Sequence, residues 1–159
     1  MKQTFTLLLV AFALIGTQRN AQQLKRLKEG DIALSIIQAE IDGEDYTEKY
    51  LENGAFLAFY TEDGQECFTN AWCKPDTQSY GTVVLLEYNN DTEEGIETAS
   101  YLWKYANTYD DHRGTAIILV SYIHRAVSVA FELCIMTEEA EILIFKGYVN
   151  DRLNWKPYF

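Results

Sequence analysis

Residues 103–123, WKYANTYDDHRGTAIILVSYI, place the tightest constraint on the fold, because they read as two extended segments joined by a polar turn. Tyr101, Trp103, Tyr105 and Tyr109 share one parity and so project from one face of an extended chain. Residues 115–123 are rich in β-branched side chains, which suit a pleated surface. Between the two lies Asp110-Asp111-His112-Arg113-Gly114, the polar, glycine-containing chemistry of a four- or five-residue hairpin loop.

The same grammar runs through the chain. Residues 31–41 make a first strand with apolar side chains on both parities (Ile32, Leu34, Ile36 and Ile37, Ala39, Ile41), closed by the turn dipeptide Asp42-Gly43. Asp45 followed by Glu48 reads as a capping box for a short helix over residues 46–52, with Asn53-Gly54 as its stop. Residues 55–61 and 65–69 form a hairpin around Glu62-Asp63-Gly64, and residues 70–78 read as a loop. Residues 80–88 are a strand and residues 89–95 (NNDTEEG) an acidic loop. Residues 96–107 are ambiguous: Ile96, Ala99, Trp103 and Ala106 fall on one helical stripe, whereas the aromatic alternation has period two and favours strand from about Ser100 onward. Strands over residues 115–124, 126–136 and 140–149 follow, the last two separated by Thr137-Glu138-Glu139. The aromatic tail, residues 150–159, is expected to fold back over a barrel end or sheet edge.

About eight strands with meander spacing and one short helix after the first strand predict an all-β, antiparallel barrel. Residues 116–123 and 140–149 are apolar on both parities, so their outer face should be covered by a helix, the tail or a second copy of the chain, which makes a homo-oligomer through an apolar outer sheet face one option. The 159 residues, 48% hydrophobic and 14% aromatic, suffice for one domain with a sizeable core.

Residues 1–21 are set apart as a secretory signal: Lys2, the apolar run of residues 7–16, and a small, polar exit ending at Ala21, with cleavage after Ala21 or nearer Gly16. Residues 22–159 are then the β domain, in a secreted or periplasmic setting. No segment is long enough to suggest an integral membrane helix. Losing Lys2 and Arg19 leaves 11 basic against 24 acidic residues. Such a field repels polyanions and argues against nucleic acid, while it permits cationic partners or metal ions. Cys67, Cys73 and Cys134 allow at most one internal disulfide. Cys67 with Cys73 requires the chain to turn near residues 70–72, since a straight strand would part them by about 20 Å; Cys67 with Cys134 is the cross-strand alternative.

The run Ile41-Asp42-Gly43-Glu44-Asp45-Tyr46-Thr47, the strand of residues 55–60, Asp63-Gly64 and Phe68 resemble the opening of small secreted lipocalin-like (calycin) domains of Bacteroidetes type. Residues 141–148 are similar to a closing strand of that barrel. The resemblance implies an eight-stranded barrel able to hold one small apolar ligand, and it carries over no functional residue.

Few residues look equipped for chemistry. Asp110, Asp111, His112 and Arg113 could make an acid/base pair, but adjacent turn residues rarely converge on one atom. Asn89, Asp91, Glu93 and Glu94 offer oxygens for calcium without the EF-hand register. His124-Arg125 reads as a turn between strands. No nucleophile elbow, phosphate loop, zinc-protease motif or cofactor motif is present. The aromatic ladder Tyr101, Trp103, Tyr105, Tyr109 is the ligand-binding candidate: inward it is core or pocket wall, outward a contact patch. The expectation is a non-enzymatic binding protein for a small apolar ligand or a protein partner. An acidic inhibitor or immunity-type protein that blocks a cationic partner is the alternative.

Overall fold

The structure is a computed structural model that describes residues 31–72 and 77–150. Residues 1–21, expected to be a secretory signal, Cys73 and the tail beyond Asn150 lie outside those residues. The described chain contains β1 (Ile32–Ile41), β2 (Glu44–Asp45), α1 (Thr47–Glu52), β3 (Phe56–Glu62), β4 (Gln65–Ala71), β5 (Gln78–Asp91), β6 (Ile96–Asn107), β7 (Arg113–His124), β8 (Val129–Thr137) and β9 (Ile142–Val149). All neighbouring strands are antiparallel in the order β1-β3-β4-β5-β6-β7-β8-β9, and β9 pairs back onto β1. The result is a closed eight-stranded barrel, with β2 an extra two-residue strand on β1. Closure leaves few free sheet edges, which an all-β chain needs in order to stay soluble.

Turn chemistry sets the register. Asp42-Gly43 and Asp63-Gly64 both hold positive φ at two successive residues, as the right-handed twist of a tight hairpin demands. β1 carries apolar residues on both parities because it contains a bulge. Its pairing with β9 shifts between Ile36 and Gln38, so that Leu34 and Ile36 point inward before the shift and Ala39 and Ile41 after it. Ile37 occupies the bulge and is 52% exposed.

Three expectations need correction. Residues 96–107 are strand throughout, with none of the helical start their stripe allowed: Ile96 pairs with both Asp91 and Ile123, so neighbours on both sides satisfy the backbone. The capping box does not form. Tyr46 holds the N-cap position without a side-chain cap bond, and Asp45, pinned in β2, accepts the Thr47 N–H at 2.8 Å instead. The acidic loop is also shorter than expected, since residues 89–91 continue β5 by pairing with Ile96, Glu97 and Thr98.

The barrel interior is filled at one end. Phe59, Phe68, Val120, Phe131 and Leu133 are buried there, with Tyr101 packed on Phe59 at 5.2 Å between ring centres. Each fully buried side chain of this size contributes about 1.5–3 kcal/mol. Outside, Val84, Leu102, Ile117, Met136 and Ile142 stand in register across five consecutive strands, and Val84 and Ile142 are exposed. The helix does not cover this row. It packs against β1 at the other end of the barrel, where Tyr50, its buried residue, meets Phe145. Among the described residues no helix is long and apolar enough to cross a membrane.

Candidate functional site

At that other end the interior opens. The helix, the β6–β7 loop and the β8–β9 turn surround a cavity of about 630 Å³, within the range of small-molecule sites. Because side chains alternate along β6, the aromatic ladder runs along the barrel axis and changes role as it goes. Tyr101 belongs to the filled end and does not line the cavity. Trp103, 2% exposed, lines the cavity and rests edge-on against Phe68 at 5.0 Å. Tyr105 continues the wall, tilted 32° from Trp103 with centres 4.8 Å apart. Tyr109, past the end of the strand, is 59% exposed at the rim. Tyr46, Tyr50 and Trp72 complete the aromatic lining, Tyr50 standing edge-on to Trp72 at 5.5 Å.

Polar groups are interleaved with these rings. The Ser79 hydroxyl donates to Asn107 Oδ1 at 2.6 Å, and Asp110 accepts the His112 backbone N–H at 2.9 Å, fixing the loop. Among the described residues, three buried polar atoms of lining side chains have no hydrogen-bond partner: Trp103 Nε1, Asn70 Oδ1 and His112 Nε2. Burial, followed by the nearby carboxylates Glu139 and Glu138, raises the Tyr105 hydroxyl pKa, and burial does the same for Tyr50 and Tyr109. These hydroxyls remain protonated and can donate.

Asp110, Glu139 and Glu141 give the lining three carboxylates against one lysine, Lys49. Burial, then repulsion from Asp42 and Glu139, holds the Glu141 carboxyl above its ordinary value of 4.5. A raised acid pKa means that the folded state resists the charge, so this contribution favours folding at low pH and is lost as pH rises through the raised value. Glu141→Gln is therefore expected to melt slightly higher than the native protein at pH 7. The gap should close below pH 4.5, which thermal melts across that range will measure.

The structure thus brings Trp103, Tyr105 and Tyr109 of the predicted set together and packs the partly buried Tyr101 against the core at the other end. His112 and Asp110, read from sequence as a solvated turn, sit on the cavity wall. His112 Nε2 lies 3.9 Å from Glu139 Oε1, too far for a hydrogen bond. Tyr46, Tyr50, Trp72, Asn70 and Glu141 were not legible as site residues, because chain closure alone brings them beside β6. The other clusters stay apart from the cavity. Asp91 accepts the Glu93 and Glu94 N–H groups in its own turn, His124 pairs with Glu97 at 3.1 Å, and no metal-ligand group forms among the described residues. Cys67 and Cys134 are free thiols on the non-adjacent strands β4 and β8, which removes the cross-strand disulfide. No protein-family model matches the chain, and no curated protein or solved structure matches it either.

Proposed function

We propose that this is a secreted or periplasmic, lipocalin-like binding protein that carries one small, largely apolar ligand in the cup at the helix end of its barrel. The supporting observation is the half-filled interior. Phe59, Phe68 and Phe131 pack one end solid, while the other holds a cavity of about 630 Å³ walled by six aromatic side chains. Such walls supply apolar contact, and the few unpaired polar atoms between them orient what is bound.

A neutral fluorescent apolar probe, N-phenyl-1-naphthylamine, tests this reading. The native protein is expected to bind one equivalent saturably, with Kd on the order of micromolar, or about −8 kcal/mol. Thr137→Trp, which adds an indole at a lining position, should weaken binding by about 10-fold or more. A native protein that takes up no probe saturably, or a Thr137→Trp variant that binds as tightly as the native one, would overturn the assignment.

A further inference from the structure

Resting on the reading of the cup as a binding site, we propose that its ligand is an organic cation, an aromatic or aliphatic amine whose apolar body lies among the rings and whose ammonium sits at the rim near Asp110, Glu139 and Glu141. Three observations converge on this chemistry. The lining combines six aromatic side chains with three carboxylates and a single lysine. Faces of Trp and Tyr attract cations through their quadrupoles, most strongly where water is excluded, and carboxylates around them exclude anionic ligands. A purely apolar cargo would need no acids there.

The cup already accommodates one ammonium of its own. Lys49 Nζ lies 5.2 Å from the centre of the Tyr46 ring and 5.5 Å from that of Trp72, and all three residues line the cavity. The aromatic faces at the mouth thus accept an amine in this geometry. Two of the three unpaired lining atoms have a polarity that suits an amine. Asn70 Oδ1 is a buried acceptor, and His112 Nε2 is one whenever the imidazole carries its proton on Nδ1. Trp103 Nε1, buried with its side chain, is the unpaired donor of the lining; it offers a bond to an oxygen or a π-face at the far end of the ligand.

A matched series separates this proposal from the broader one. Tryptamine, tryptophol and indole-3-acetate share an indole body and differ in carrying a positive, neutral or negative head, and isothermal titration calorimetry on the folded chain gives their affinities at pH 7. Tryptamine is expected to bind at least about 10-fold tighter than tryptophol, with the acetate weakest. Glu139→Gln combined with Glu141→Gln should bring amine and alcohol within about threefold of each other by weakening tryptamine, in a variant that far-ultraviolet circular dichroism shows to be folded. Glu93→Gln with Glu94→Gln, the same charge change in the β5–β6 turn at the opposite end, should leave the preference alone and so separates a rim effect from the overall charge of −11. Lys49→Gln, which removes the competing ammonium, should tighten tryptamine several-fold and tryptophol not at all. Tryptophol binding as well as or better than tryptamine overturns the cation proposal and leaves the cup reading standing. A preference that survives the rim variant, or disappears in the remote one, overturns the rim assignment. Failure of all three ligands to bind overturns both.

Discussion

Gly147→Ala is expected to lower stability by about 4 kcal/mol, near the upper end of what single substitutions do, and to depress the melting temperature by on the order of 10 °C. Gly147 lies on the seam where β9 closes the barrel onto β1, opposite Ile36 and next to the bulge at Ile37. A Cβ there would stand 1.8 Å from the Ser35 carbonyl oxygen and 2.9 Å from a ring carbon of Phe131. The first obstacle is backbone, which cannot swing aside as a side chain does. The second is the side chain of a residue 1% exposed. Relief would require β1 and β9 to part, and each parted residue gives up a ladder hydrogen bond. Chemical denaturation with far-ultraviolet circular dichroism measures the loss. A Gly147→Ala protein as stable as the native one would mean that the seam is not as close as drawn.

Phe68→Ala should cost about 3–5 kcal/mol, the range for emptying a buried aromatic site. Phe68 is fully buried, 4.7 Å from the Phe59 ring and 5.0 Å from Trp103, so its removal deletes two ring contacts as well as apolar area. Phe68→Leu keeps most of the volume and should cost less than half as much. The pair of variants also reports on the cup. Trp103 rests edge-on against Phe68, so loss of that ring is expected to increase the quenching of Trp103 fluorescence by acrylamide, while Phe68→Leu should change it little. Equal stability losses for the two substitutions would show that volume at this point is not what holds the floor.

Much of the architecture was legible because local chemistry and tertiary demands agree. Asp42-Gly43 and Asp63-Gly64 announce tight hairpins and form them. The alternation Tyr101, Trp103, Tyr105 was a strand signal strong enough to prevail over the helical stripe of Ile96, Ala99, Trp103 and Ala106, and the pairing of β6 with β5 and β7 shows why: both backbone edges are taken up. The two-parity pattern of β1 was legible as a puzzle whose answer, the bulge at Ile37, depends on a strand more than a hundred residues away. The Asp45 cap failed for a similar reason: Asp45 pairs in β2 against β1, and the helix begins at Thr47, which puts Tyr46 rather than Asp45 at the N-cap.

The sequence by itself determined the antiparallel barrel, the short helix after its first strand, the one-faced aromatic ladder of β6 and the acidic balance of the chain, since each depends on spacing between near neighbours. Only the tertiary structure decided what the ladder does. Closure of β9 onto β1 brings Phe59, Phe68 and Phe131 into one end of the lumen and sets Tyr50, Trp72 and the acidic turns around the other. Tyr101 thereby came to pack against the filled end, with Trp103 the floor and Tyr109 the rim of a cup. The physical reason is that the period of a strand says which face a side chain takes, whereas the depth at which it sits inside a closed barrel is set by long-range register, which no local pattern encodes.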